Sequence, residues 1–195
     1  DRPGVTLRAA ADTRADRPGG WGSNMAAIID HCMLLDADGQ PHIRIEHRVV
    51  PAGPTHVDQI ANAAFFYGLV SALATAETAP ETRLPFPACR SNFYRAAKEG
   101  MLAEVEWFDG ERGSLKRLCL DVLLDQAQLG LTLTGIDQHE AAYYLDVIRQ
   151  RLQTGQTGAA WQKKWVDHHG PQWRDLTLCY AEHQQSALPV HRWSL

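Results

Sequence analysis

The sequence predicts an α+β fold, a short antiparallel strand pair followed by about six helices. Three features lead there: an Asp-Gly turn between two apolar stretches, a long run of apolar residues at helical spacing after it, and a series of helix starts and Gly/Pro breaks through the remainder. The turn is Asp36-Ala37-Asp38-Gly39-Gln40-Pro41, which joins the apolar run 33–35 to the alternating run 42–50. A two-stranded hairpin is marginal alone in water, so this pair is expected to belong to a larger sheet.

Pro51-Ala52-Gly53-Pro54 ends the second strand, and Thr55-His56-Val57-Asp58 then offers a capping-box start with Asp in place of the usual Glu or Gln. Ile60, Ala61, Ala64, Phe65, Gly68, Leu69 and Leu73 follow at helical spacing, which predicts a long, largely buried helix to about Thr75. Residues 79–87 are Pro-rich and predict a connection. Further helices are expected over 91–98, 114–129, 137–152, 157–166 and 171–185, with a good capping signal at Asp137-Gln138-His139-Glu140 and a break at Gly170-Pro171. Residues 1–24 mix Arg, Asp, Gly and Pro without period. The expected organisation is therefore an irregular lead-in over 1–30 and one domain over 31–195. Because the first residue is Asp1 and not Met, the chain is expected to be the carboxyl-terminal part of something longer.

Composition narrows the function classes. A chain of 195 residues can bury roughly 70% of its unfolded surface, so neither a metal nor a disulfide is needed to hold it together. A net charge of −4 with no Lys/Arg run argues against nucleic acid. Cys32, Cys89, Cys119 and Cys179 lie far apart without a C-x-x-C pair, which predicts reduced, mostly core thiols. No stretch reads as a membrane span or a signal peptide, and the cytoplasm is the default expectation.

Chemistry concentrates on the second strand. In His42-Ile43-Arg44-Ile45-Glu46-His47-Arg48-Val49-Val50, the two-residue period puts His42, Arg44, Glu46 and Arg48 on one face and Ile43, Ile45, His47 and Val49 on the other. The apolar face is expected to pack on the helix from Val57, with burial of Ile45 contributing roughly 1.5–3 kcal/mol. On the charged face a carboxylate stands about 7 Å from a guanidinium on either side. Glu46 can offer a hard oxygen to magnesium, and each Arg can grip a carboxylate or phosphate through two parallel bonds. The alternative is a solvated strand face whose charges neutralise one another.

The stretch from Arg44 through Pro51-Ala52-Gly53-Pro54-Thr55, Val57-Asp58 and Ala61-Asn62-Ala63-Ala64-Phe65-Phe66-Tyr67-Gly68-Leu69 resembles the glutamate–cysteine ligase superfamily. There a strand carrying Glu-x-Arg leads through a Gly/Pro turn into a helix ending in Gly-Leu. The tail Pro189-Val190-His191-Arg192-Trp193 is similar to bacterial members, and the resemblance covers residues from about 31 to 195. It implies a glutamine synthetase-like antiparallel sheet, of which 31–195 would be the carboxyl-terminal part. It also implies an ATP- and Mg2+-dependent activity of the kind that opens glutathione biosynthesis, joining the side-chain carboxylate of glutamate to an amine such as that of cysteine through an acyl phosphate. By the same resemblance Glu46 would be a metal ligand, Arg48 would hold substrate carboxylate or phosphate, and Arg44 would have a weaker substrate-binding role. Residues 1–30 match nothing in that family, whose full-length members carry a substantial amino-terminal half, so this chain alone is expected to lack a complete site. Homo-oligomer formation is left open. The competing reading is a non-catalytic helical interaction domain or an inactive fragment.

Other residue groups favour structural explanations. Asn92, Tyr94 and Arg95 predict a surface helix start more readily than a pocket. Gly155-Gln156-Thr157-Gly158 lacks the Lys-Ser/Thr ending of a phosphate loop and predicts a helix-to-helix turn. His168-His169 has no partners to complete a metal site and suits a helix end, while His183 and His191 stand alone. Trp161 and Trp165, one helical turn apart, predict a packing stripe.

Overall fold

The computed structural model describes residues 53–195 in full, together with the two-residue strands β1 (Leu34–Leu35) and β2 (Pro41–His42). The chain divides into two compact units, 1–51 and 52–195. In the first, β1 and β2 pair antiparallel, Leu34 opposite His42 and Leu35 opposite Pro41, the sense expected from the Asp-Gly turn. The remainder of the expected strand, 43–50, and the lead-in over 1–30 lie outside the described residues. Among the described residues the protein is mostly helical with short antiparallel strand pairs, an α+β composition.

The second unit is built on α1 (His56–Ala74). Thr55 caps it by accepting from the Asp58 amide, and the Asp58 carboxylate reaches back to the Thr55 amide, so the predicted box forms with Asp at its third position. Gly68 is buried at the crossing with α5 (Leu124–Leu133), where Gly130 faces it. A Cβ on Gly130 would overlap the Gly68 carbonyl oxygen, and one on Gly68 would overlap the Ala127 carbonyl. The two backbones approach this closely because neither helix carries a side chain at the contact. Contrary to the reading that no stretch is membrane-like, α1 is long and apolar enough by length and composition to cross a membrane. Here it packs against α5 and α6 (Gln138–Thr154), with Ala61, Gly68 and Asp58 buried.

Several expected boundaries move. Residues 80–83 form a four-residue helix, α2 (Pro80–Arg83), and α3 (Phe86–Glu99) begins five residues before the expected start. Both carry Pro in the first turn, where the missing N–H would have had no intrahelical partner, so a Pro-rich stretch can start helices as well as connect them. The helix expected over 114–129 is α4 (Leu115–Leu118), a π-helical turn (Cys119–Leu123) and α5, which runs on to Leu133.

Between α3 and α4 lies a hairpin that the helical pattern did not suggest. β3 (Glu104–Glu106) and β4 (Arg112–Ser114) pair antiparallel with Val105 opposite Gly113. Asp109 and Gly110 take positive φ at its turn, the conformation that Asp-Gly favours. Asn92 on α3 holds the hairpin by mimicking a strand: its Nδ2 donates to the Glu106 carbonyl at 2.5 Å and its Oδ1 accepts from the Glu106 amide at 2.9 Å.

Two apolar clusters result. The larger gathers Ala61, Leu123, Leu124, Ala127, Leu131, Leu145, Ile148 and Leu152 from α1, the π turn, α5 and α6. The smaller joins α7 (Gly158–His169), α8 (Trp173–Gln185) and the tail through Trp161, Trp165, Leu176, Val190 and Trp193.

Candidate functional site

The strand face singled out from the sequence, Arg44, Glu46 and Arg48, lies outside the described residues. What the structure describes is the segment into which that strand runs. Thr55 and Asp58, at the head of α1, stand at the centre of a buried polar network that links the two apolar clusters.

Asp58 is fully buried. Its Oδ2 accepts from the Thr55 hydroxyl at 2.9 Å, the Thr55 amide at 3.3 Å and the Val190 amide at 3.0 Å, the last arriving from 132 residues downstream. Its Oδ1 accepts from Arg151 Nη2 at 2.8 Å. Three donors crowd Oδ2 and the Arg151 guanidinium engages Oδ1, all in a position without solvent exposure, so the carboxylate is spent on holding the fold together. Asp58 is a pin and not a base. Arg151, in the last turn of α6, uses its other terminal nitrogen on Asn62 Oδ1 at 2.7 Å. One guanidinium therefore fixes two residues one turn apart on α1.

The same network clamps the chain's carboxyl-terminal tail. Gln156 Nε2 donates to the carbonyls of Val190 at 3.0 Å and Trp193 at 2.8 Å, and Trp161 Nε1 donates to the Ser194 carbonyl at 2.7 Å. His183 stacks on Trp193 with ring centroids 4.9 Å apart, and Trp161 meets Trp193 edge-on at 5.4 Å. Thus Gly155-Gln156-Thr157-Gly158 is the expected turn between helices, with Gly155 left-handed and Thr157 capping α7. Gln156 within it is a tail clamp that the sequence did not reveal.

His191 sits in the short 3-10 turn of this tail (Val190–Arg192), its Nδ1 buried without a hydrogen-bond partner. Burial holds its imidazole below the usual histidine range, reinforced by Arg192 and Arg151 and opposed by Asp58 and Asp146. In the unfolded chain it would titrate near pH 6.5. The unfolded state therefore takes up the proton first as pH falls, so the stability this residue contributes is present above about pH 6.5 and is lost below it. Thermal melts from pH 7.5 to 5.5 are expected to show a smaller drop for His191→Asn than for the parent; equal slopes would mean that His191 does not contribute.

Other candidates resolve into packing. Trp161 and Trp165 are buried as a stripe, and His169 closes α7 with Nδ1 3.1 Å from the Trp165 carbonyl while stacking on that ring. Among the described cysteines, Cys119 is a core thiol that burial pushes up to about 11, Cys179 is half-buried, and Cys89 departs from the expected core placement by being exposed on α3. Among the described residues no group of three His, Cys, Asp or Glu could hold a metal ion. Tyr94 and Arg95 face an open groove on α3, so one side of that surface helix does border a pocket.

Comparisons with protein-family models, with curated proteins and with solved structures each gave no match.

Proposed function

We propose that this protein is an ATP-dependent carboxylate–amine ligase of the glutamate–cysteine ligase type, acting in the cytoplasm on glutamate and an amine such as cysteine. The observation that carries the reading is the continuous run from Arg44 to Leu69: Glu-x-Arg, a Gly/Pro turn, a capped helix and Gly-Leu. Four residues in the described part of that run, Gly53, Thr55, Asp58 and Gly68, have structural reasons to be present. Gly53 has no room for a Cβ against Asp58 and Gln59, Thr55 and Asp58 cap α1, and Gly68 is the helix crossing. On this reading β1 and β2 belong to a larger glutamine synthetase-like sheet.

The reaction balances as two displacements. A carboxylate oxygen of glutamate attacks the terminal phosphorus of ATP and ADP leaves; the amine nitrogen then attacks the acyl carbon and phosphate leaves. Phosphoryl transfer of this kind depends on positioning and charge stabilisation more than on a general base. Glu46 would ligate magnesium, Arg48 would grip carboxylate or phosphate, and Arg44 would assist. Glu46→Gln keeps shape and removes a charge, so ATP-dependent phosphate release with glutamate and a panel of amines should fall 100-fold or more, about 3 kcal/mol. Arg48→Lys should also be poorly tolerated, because an ammonium cannot reproduce the two-pronged grip. Both are to be assayed in the protein at its full natural length, with magnesium and with chelator. Near-normal turnover in two folded variants would end the assignment.

A second reading, a helical interaction domain, is favoured by one observation. Ile60, Ala63, Tyr67 and Val70 recur along one side of α1 and are exposed, Tyr67 by 64%. On that reading Glu46→Gln changes nothing measurable, whereas Tyr67→Glu alters the assembly state in sedimentation.

A further inference from the structure

We infer that α3 is an amphipathic docking helix that lays its outer face on an anionic lipid surface. Phe86, Cys89, Phe93 and Ala97 recur at three- and four-residue spacing, so they share one face, and all four are exposed. Phe86 is 71% exposed, and in the 3-10 turn that follows the helix (Gly100–Leu102) Leu102 is 85% exposed. The half-buried row of the helix is Ala88, Asn92 and Ala96, where Asn92 grips the β3–β4 hairpin, and no residue of α3 is buried. Packing on the core therefore does not account for the two phenylalanines. From Phe86 to Ala97 the stripe runs about 16 Å along the helix.

Charge says what covers the stripe. Arg90, Tyr94 and Lys98 flank it at four-residue spacing. The helix carries three cations, Arg90, Arg95 and Lys98, against the single carboxylate of Glu99, in a chain whose net charge is −4. None of the three forms an ion pair among the described residues, unlike Arg83, Arg112, Arg149, Arg151 and Lys163. Arg95 donates one Nη1 bond to the Glu104 carbonyl at 3.2 Å, which steadies the side chain and leaves its charge unneutralised. The Arg90 guanidinium lies 5.8 Å from the centre of the exposed Tyr94 ring. An interfacial helix uses these parts together: phenylalanines enter the acyl boundary, long cationic side chains bend up to the headgroups, and a tyrosine ring sits between the two. An anionic leaflet attracts each Lys or Arg brought to its surface. The shallow groove along this face is lined by α3 residues alone, so no opposing wall is present to seat the side chains of a protein partner, whereas a lipid surface needs none.

This surface is independent of the ligase reading. Co-sedimentation of the full chain with vesicles of phosphatidylcholine alone, and of phosphatidylcholine and phosphatidylglycerol in equal parts, tests it. The variants are Phe86→Ser/Phe93→Ser, Arg90→Glu/Lys98→Glu and, as controls elsewhere, Leu178→Ser and Lys163→Glu, each checked for folding by circular dichroism. The parent should bind the anionic vesicles at least tenfold more tightly than the neutral ones, and added salt should weaken that binding. Both α3 double variants should lose at least tenfold on anionic vesicles, and the two controls should stay within twofold of the parent. A parent that binds neither vesicle, or binds both alike, overturns the inference, as does either folded double variant within twofold of the parent. Binding that needs the cations and not the phenylalanines, or a parent retained by immobilised poly-glutamate and by no vesicle, assigns the face to an acidic protein and overturns the lipid surface.

Discussion

Replacing Asp58 by Ala is expected to lower the unfolding free energy by about 3–5 kcal/mol, because it strands several buried donors at once. The amide of Val190, the amide and hydroxyl of Thr55 and the Nη2 of Arg151 all lose their acceptor, and Arg151 keeps a charge that is 15% exposed. Urea denaturation followed by tryptophan fluorescence measures the effect, and the tail holding Trp193 should loosen with it. Much of the loss is the cost of an orphaned guanidinium. Arg151→Met in the Asp58→Ala background should therefore destabilise less than Arg151→Met alone, a coupling of about 0.5–3 kcal/mol. A loss below about 1 kcal/mol for Asp58→Ala would mean that the network does not tie the two clusters together.

Gly130→Ala is expected to cost at least about 3 kcal/mol, at the upper end of overpacking effects. The obstacle is the Gly68 carbonyl oxygen, part of a helical backbone, and not the mobile end of a side chain. Relief requires α1 and α5 to move apart, which loosens Ala61, Ala127 and Leu131 in the larger cluster. Gly68→Ala should behave alike, since its Cβ would meet the Ala127 carbonyl. Gly113→Ala is the control: nothing lies within 4 Å of its Cβ position and its φ is not positive, so its effect should stay within about 0.5 kcal/mol. If Gly130→Ala melts with Gly113→Ala, the helices do not cross at these glycines.

Much of the fold could be read in the residues because the signals were local. Thr55 with Asp58, Asp137 with Glu140, and the Gly170-Pro171 break act over one helical turn, and the helices follow them to within a few positions. The β3–β4 hairpin carried its own sign in Asp109-Gly110. Its three-residue strands are too short to show a two-residue period, and what pins them is Asn92, a partner 14 residues away. The early start of α3 was hidden by prolines that serve equally as linkers and as first-turn residues. As for the candidate site, Arg44, Glu46 and Arg48 lie outside the described residues. Arg90, Tyr94 and Lys98 fall on one face of α3 by their four-residue spacing, which became legible once the helix was seen to start at Phe86.

By itself, the sequence determined the α+β composition, the antiparallel sense of β1 and β2, the capped start of α1 and the run of helices after it. These follow from turn chemistry, capping and periodicity, which depend on neighbours along the chain. Tertiary structure alone decided that Asp58 serves Val190 and Arg151, residues 132 and 93 positions away. It also decided that Gly68 meets Gly130, and that Gln156 and Trp161 hold the tail. In the sequence Asp58 is a cap, Gly68 a small residue in an apolar run and His191 a solitary imidazole. Their roles arise because a buried carboxylate must find donors and a close crossing must exclude side chains, wherever along the chain the partners lie.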